Sequence, residues 1–442
     1  MRKPFVVGIL KEIKLQERRT PLTPTDVLWL RRRGIQIEVQ SSRERAFRDK
    51  EYERAGARVV EKFNKATLLI GVKEPRPNNL YPNKIYMVFS HTIKGSKKNM
   101  PLLLACLQKG ITLVDYEKIE DAEGKRLVYF GKFAGICGAI DTLSLLGKRL
   151  AFQGIDNPFL FVNEARLYKS LHKAKSAVAK VARKIRRKGL QRRIVPFIIG
   201  ITGHGNVSRG VQEIIDILKP VEIHPKDMMR FVKDNRNLTN KVCKIVFDRE
   251  EKLQSKNRSG FYFEEYLKHP KRFESNMGMY LPHVNVLFNT SYWDRRFPRL
   301  VTKEMIYKMS KKPSRLVFIA DLACDVNGGI ELTYKTTSVD NPTYTYDPVT
   351  KKYTDGFEGR GISILSRDNL PSELPKESSQ DFSKLIREYV YQIALHGALD
   401  LTNHIALPRE VRNAVIIQDH KLTKAYKYLR KSLENRKTKL FL

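Results

Sequence analysis

No two cysteines in this sequence form a CxxC, and none has a histidine at zinc-binding spacing: Cys106, Cys137, Cys243 and Cys324 stand 31, 106 and 81 residues apart. That pattern excludes a zinc ribbon or a thioredoxin-like motif. Four buried thiols in a reducing compartment are expected, and no metal site. Long hydrophobic runs are missing too. Residues 194–202 form one of the longest apolar stretches, whereas a membrane-spanning helix needs roughly 18 residues or more, so no membrane span is expected. The sequence opens with FVVGIL at residues 5–10, a strand pattern unlike a secretory signal, so no clear targeting peptide is read in this chain. Internal repeats and low-complexity tracts are absent as well.

Acidic residues are scarce. Lys and Arg number 83 against 47 Asp and Glu, a net charge of +36 over 442 residues. Such a field repels copies of itself and draws polyanions, which makes nucleic acid a serious partner. The 41% hydrophobic content is that of a folded chain, long enough for two or three domains.

What is present alternates between strand and helix. FVVGIL is followed by helix-like TPTDVLWLRRRG, then IQIEVQ, a polar helical stretch, ATLLIGVK, KIYMVFS, helix-like NMPLLLACLQKG and ITLVDYE. Strands separated by helical patterns of 10–15 residues predict a mostly parallel, doubly wound sheet. Residues 130–152 are apolar nearly all round, as in a buried linking helix. A second α/β unit is read from strand candidates at 194–202, 221–223, 284–289, 315–323 and 361–366, with an amphipathic helix at 207–218. Residues 368–385 read as a crossover loop, and two helix-like stretches lead into a basic tail. The expected fold is α/β, two doubly wound Rossmann-like domains with a cleft between them. Residues 1–138 plus 376–442 would form a substrate domain and residues 139–375 a dinucleotide-binding domain.

The strand at 194–202 runs into Gly203-x-Gly205-x-x-Ser208-x-Gly210 and then a helix, the context that gives a dinucleotide fingerprint its meaning. Gly203 permits the tight turn and Gly205 lets a pyrophosphate approach the backbone. Ser208 is small enough for helix to pack on strand, and the helix N-terminus offers free N–H groups. A tight turn with no ligand is the plainer reading. The ribose-reading position, about twenty residues on, falls near residues 222–226, where Glu222 would suit NAD and His224 with Lys226 a 2′-phosphate.

Four strings in the first half matter together: ERRTPLTP (17–24), GVKEP (71–75), FSHTIK (89–94) and VDYEK (114–118). Lys73, His91 and Glu117 lie at or just past successive strand ends, which in an open parallel sheet converge on one crevice. With GHGNVSRG, ADLACDVNGG (320–329), NTSYWDRRFPRLVT (289–302) and GFEGRGISILSRDNLPSELP (356–375), these strings resemble the alanine dehydrogenase/saccharopine dehydrogenase superfamily. More narrowly, the chain resembles the lysine–2-oxoglutarate reductase domain that forms saccharopine, up to about residue 430. NAD-linked saccharopine- or alanine-oxidising relatives share the fold but match the strings less closely.

The resemblance implies an NADP-dependent reductase, NAD being the less favoured cofactor, acting on lysine and 2-oxoglutarate in the mitochondrial matrix. Lys73, His91 and Asp325 would be catalytic, while Arg19, Lys94 and Glu117 would bind substrate. Gly203, Gly205, Asn206, Val207 and Ser208 would hold the dinucleotide, with Asn289 and Asn369 near its nicotinamide end. Joining an amine to a keto carbon with loss of water calls for groups that titrate near neutrality. Imidazole does so unaided, and an amine does so when burial or nearby cations depress its pKa.

The charge supports an alternative. From residue 165 to 193 there are twelve Lys or Arg and no acid, around an apolar stripe of Leu167, Leu171, Ala174, Val178, Val181 and Ile185. That predicts a surface helix docked by one face with its cations outward. The tail from residue 421 adds eight Lys or Arg against Glu434, with Tyr426, Tyr428 and Phe441 interleaved. A solvated face is the plain reading. The sharper one is a homologue recruited, with weak or no catalysis, to a mitochondrial ribosome beside rRNA and ribosomal proteins, needing no cofactor. Its RNA-binding candidates are Lys173, Lys180, Arg183, Lys184, Arg186, Arg187, Lys188 and Arg192 in the helix. In the tail they are Lys427, Arg430, Lys431, Arg436 and Lys437.

Overall fold

The computed structural model describes residues 5–257, 260–396 and 407–437, with side-chain surroundings to residue 434. The chain divides into two units, residues 1–130 with 375–442, and residues 131–374.

In the first unit β1 (Val6–Ile9), β2 (Gln36–Gln40), β3 (Arg58–Val60), β4 (Leu68–Ile70), β5 (Ile85–Val88) and β6 (Thr112–Asp115) pair in parallel in the order β6-β5-β4-β1-β2-β3. They alternate with α1 (Pro24–Arg31), α2 (Asp49–Arg54) and α3 (Met100–Gln108). Both sheet faces are buried: Val7, Leu68, Ile70 and Val114 enter one core, and Val6, Leu69, Val88 and Leu113 the other. This is the two-residue period of a strand covered on both sides.

The second unit begins with α4 (Gly131–Phe152) and α5 (Leu171–Lys188). The strand β7 (Phe197–Thr202) then leads into α6 (Asn206–Ile215). A short β8 (Val221–Glu222) and α7 (Met228–Asp234) precede β9 (Val242–Phe247), after which come α8 (Arg249–Lys252), β10 (Leu253–Ser255), α9 (Phe263–Lys268) and β11 (Phe273–Ser275). The remainder is β12 (Val286–Asn289), α10 (Lys303–Ser310), β13 (Phe318–Asp321), β14 (Tyr344–Tyr346), β15 (Tyr353–Asp355) and β16 (Ile362–Leu365). The main sheet runs β15-β14-β16-β13-β12-β7-β9-β8, parallel except where β14 joins its neighbours. The two units are both Rossmann-like, as expected.

The chain then completes the first unit with α11 (Pro375–His396), α12 (Arg409–Asn413), β17 (Val415–Gln418), β18 (Lys421–Leu422) and α13 (Arg430–Lys437). β17 adds antiparallel to β6, with β18 outside it.

Several expectations change. The boundary falls at 130/131 rather than 138/139, because α4 is one continuous helix packed on α6. The supposed crossover loop at 368–385 is largely α11, whose serines look polar in sequence but face inward. Ser379 and Ser383 accept backbone N–H groups of Thr20 and Thr23, and Phe382 and Ile386 fill the core. β9 was hidden because Lys244 interrupts its apolar run, yet Lys244 is buried and paired with Asp216 at 2.6 Å and Glu222 at 2.9 Å. Cys106, Cys137 and Cys243 are buried, and Cys324 only partly.

Candidate active site

The parallel register of the first unit sets four strand ends side by side. Leaving β1 the chain reaches Glu12, leaving β4 Lys73 and Glu74, leaving β5 His91, and leaving β6 Glu117. The structure thus brings Lys73, His91 and Glu117 to one sheet edge. His91 has a left-handed backbone (φ 53°), and its Nδ1 lies 3.2 Å from Glu117 Oε1. Its Nε2 lies 3.9 Å from Glu74 Oε2. Asn99 donates to the His91 carbonyl at 2.7 Å, fixing the turn. Burial alone would raise the Glu117 carboxyl, but the hydrogen bond to His91 and the charges of Arg126 and Lys94 hold it below its ordinary value. Asp115, buried beneath, accepts the Glu117 N–H at 2.8 Å and bonds to Ser90, and burial raises its carboxyl to about 6.

Lys73 is partly buried, and its amine is depressed chiefly by that burial, then by Arg19 and Lys14, against the opposing pull of Glu17 and Glu74. Arg19 is buried over the Phe130 ring at 4.2 Å, but Glu17 takes its Nε at 2.8 Å and Nη2 at 2.6 Å. The expected carboxylate clamp is therefore already a bidentate internal ion pair. Lys94 is exposed near this edge. Asp325 belongs to the second unit, exposed on the loop after β13.

Sequence reasoning missed Glu12, which carries no motif beyond its place after β1. Its carboxylate accepts the Val72 N–H at 2.6 Å and the Lys73 N–H at 3.1 Å, so it holds the backbone on which Lys73 stands. Burial pushes it up to about 7, with Glu17 adding in the same direction and these N–H bonds opposing. A carboxyl raised on folding is stabilising below its unfolded pKa near 4.5, and that contribution is lost as pH rises through about 7. Glu12→Gln should therefore gain stability relative to the parent between pH 5 and pH 8, read by urea melts at both pH values. A difference that stays flat with pH would contradict the placement.

In the second unit Gly203 (φ 82°) turns the chain out of β7, its N–H donating to Phe247 at 2.8 Å. Gly205 caps α6, and a methyl added there meets no protein atom within 4 Å. Asn206 and Val207 begin α6, and Ser208 is buried within it. Gly210 faces α4, where an added Cβ would lie 2.0 Å from the Lys132 carbonyl oxygen. Gly203 and Gly205 open on a cavity of about 740 Å³ lined also by Arg249, Lys252, Asn289 and Ser291. Lys252 is buried, donates to Ser291 Oγ at 2.9 Å and is depressed to about 8 by burial and then by Arg249. A glycine turn, the free N–H groups at the start of α6 and a buried amine fit a diphosphate.

The Asn289 amide is engaged in the sheet: it donates to Asp321 at 2.8 Å and accepts from Thr202 at 3.1 Å. Asn369 sits in the left-handed region (φ 61°) at the start of a short helical turn. The strand order differs from the one behind the expected ribose-reading position. Residues 222–226 belong to β8 and the turn after it, but the strand next to β7 on that side is β9, and Asp248 and Arg249 follow its end. The interposed β8 and α7 defeat a fixed count of twenty residues. Asp248 pairs with His204 at 2.9 Å.

Two buried arginines of the second unit hold its loops. Arg149 donates to the carbonyls of Phe357, Gly359 and Gly361 at 2.6–2.7 Å, holding the GFEGRG loop. Arg367 is buried among Asp141 (2.9 Å), Glu164 (3.4 Å) and Glu373. In the basic tail Tyr426 is buried and donates to the Asn413 carbonyl, so it is core and not a base-stacking group. Tyr428, Lys427, Arg430 and Lys431 are exposed. The side chains of Arg436 and Lys437, and residue Phe441, lie outside the described residues. Among the described residues no group of His, Cys, Asp or Glu gathers as for a metal ion, and no helix is long and apolar enough to cross a membrane.

Two Rossmann-like units, one with a dinucleotide-type turn and one with an acid–base cluster at its strand ends, define a two-domain protein of the dinucleotide-fold class. Residues 8–137 match the alanine dehydrogenase/PNT N-terminal domain and residues 240–425 its C-terminal domain. The chain belongs to the alanine dehydrogenase/PNT family. It is 36% identical to an alpha-aminoadipic semialdehyde synthase of Arabidopsis thaliana, over 96% of this chain and 41% of that protein. To the mitochondrial alpha-aminoadipic semialdehyde synthase of Mus musculus it is 33% identical, over 100% and 49%. It thus spans less than half the length of these relatives. A saccharopine dehydrogenase (NAD(+), L-lysine-forming) of Emericella nidulans is 26% identical over 88% of this chain and 92% of its own. A solved L-alanine dehydrogenase has the same fold, with a TM-score of 0.61 at 19% identity over 97% and 100% of the two chains.

Proposed function

We propose that this chain is an NADPH-dependent reductase that condenses lysine with 2-oxoglutarate to saccharopine. The observation that carries the reading is the strand-end cluster, a depressed Lys73 amine beside His91, which is held between two carboxylates. The names of the relatives, which concern aminoadipic semialdehyde, saccharopine and lysine, support the substrate class.

In this reading Lys73 takes a proton from the substrate ε-ammonium, freeing the amine to attack the keto carbon. His91 returns a proton to the departing water oxygen, and Glu117 at Nδ1 fixes the orientation of the ring. Glu17 orients Arg19, and exposed Lys94 meets a substrate carboxylate. Asp325 balances positive charge on the condensed imine. The hydride that reduces that imine would come from a bound NADPH. Gly203, Gly205, Asn206, Val207 and Ser208 would hold its diphosphate together with Lys252, while Asn289 and Asn369 shape the nicotinamide end. Arg249, two residues past the end of β9, favours a 2′-phosphate, and hence NADPH over NADH. Arg249→Ala should raise KM for NADPH by about tenfold or more, a charge-assisted hydrogen bond being worth ~1.5–3 kcal/mol, and leave KM for NADH within threefold. Equal effects on the two cofactors would remove that assignment.

The mouse relative's name supports a mitochondrial location. Incubation with lysine, 2-oxoglutarate and NADPH should yield saccharopine by mass spectrometry, and absence of product at high enzyme concentration would overturn the proposal. A second reading, a catalytically retired homologue serving as an rRNA-bound ribosomal subunit, is favoured by one observation, the outward row of cations on α5. It predicts co-sedimentation with ribosomes and no turnover.

A further inference from the structure

The reductase reading leaves α5 unexplained. Its apolar stripe, Ala174, Val178, Val181 and Ile185, is buried in the core of the second unit. Ser170 caps its N-terminus and Gly189 ends it (φ 75°), so its length is defined. Eight of its 18 residues are Lys or Arg and none is acidic. Lys173, Lys180, Arg183, Lys184 and Arg187 recur at helical spacing, on the side turned away from the buried stripe. From Lys173 to Arg187 they span about 21 Å at 1.5 Å per residue.

Among the described residues none of these five has a carboxylate within 4 Å; the α5 cation that does is Lys175, paired with Glu213 at 2.6 Å. Beside them stands Phe161, 57% exposed, with Lys184 Nζ 3.4 Å from its ring centre. A row of unneutralised cations next to an exposed ring held by a cation is a phosphate track with a stacking platform.

From this we infer that the outer face of α5 binds single-stranded nucleic acid, a function separate from catalysis. A bilayer surface fits less well, because an interfacial helix must insert its apolar face, and that of α5 is committed to the core. An acidic protein fits less well because protein carboxylates come interspersed with cations, whereas this track offers an uninterrupted row beside a ring. The charge of +36 would add long-range attraction for a polyphosphate.

The test is titration of the whole chain with fluorescent 15-nucleotide single-stranded RNA and DNA of matched sequence, over a range of salt. Binding should fall linearly in log K against log salt, with a slope of about −0.7 per phosphate neutralised. Combined Lys180→Gln, Arg183→Gln, Lys184→Gln and Arg187→Gln should weaken binding at least thirtyfold and flatten that slope by about two to three. A charge-matched control, Lys233→Gln, Lys268→Gln, Lys271→Gln and Lys312→Gln, should stay within threefold of the parent. Phe161→Ala should weaken binding to single strands but not to heparin, which has phosphate-like charge without bases. Equal loss in the control variant would mean bulk charge and overturn the proposal, as would tighter binding to phosphatidylserine vesicles than to either oligonucleotide. NADPH oxidation, measured on the same variants, is unaffected in this account, so failure of the reductase reading leaves the nucleic-acid result standing and the reverse.

Discussion

Lys73→Met should lower kcat/KM for lysine by about 10²–10⁴-fold, the usual contribution of a positioned acid–base group. The amine is depressed by burial and by Arg19 and Lys14, which favours its neutral, proton-accepting form. Methionine keeps the unbranched stem but neither gives nor takes a proton. The fold should survive, because the Lys73 contact that organises the loop is its backbone N–H to Glu12, which the substitution leaves intact. The check is therefore twofold: steady-state kinetics with NADPH, and NADPH affinity with the urea midpoint unchanged. A variant retaining activity within threefold would remove Lys73 from the chemistry.

The second large effect is on stability. Arg367→Ala should cost about 3–5 kcal/mol, the range for breaking a buried ion pair by removing one partner. Arg367 sits among Asp141, Glu164 and Glu373, all buried, and it ties the segment after β16 to α4. Burial, and then the charge of Glu373, already raises the Asp141 carboxyl. Without the guanidinium these carboxyls are relieved only by protonation, so the deficit should shrink as pH falls. Denaturant melts at pH 5 and pH 8 read this directly. A loss under 1 kcal/mol, or one that grows toward acid, would contradict the network.

Much of this was legible beforehand for a simple reason: parallel strands buried on both faces leave continuous apolar runs, and chemistry collects where those runs stop. Lys73, His91 and Glu117 stand just past such ends, and the order β6-β5-β4-β1 makes them neighbours. The glycine turn after β7 was visible for the same reason. Strands and helices whose burial is polar escaped. Lys244 hides β9, and with it the place of Asp248 and Arg249 just past a strand end beside β7, and the inward serines of α11 imitate a loop. Glu12 escaped because its role is to accept two backbone N–H groups, which no side-chain pattern announces. Tyr426 looked like part of a basic, aromatic tail, but its ring closes the core beside β17. The stripe of α5 was readable from its spacing alone, since a strongly amphipathic helix separates its faces in the sequence itself.

The central claim, that this chain forms saccharopine, is tested most directly by following absorbance at 340 nm with lysine, 2-oxoglutarate and NADPH at a protein concentration high enough to detect slow turnover. The account predicts NADPH loss that requires both substrates, is stoichiometric with saccharopine and disappears in Lys73→Met. NADPH that persists with both substrates present, or is consumed equally when lysine is omitted, would contradict it.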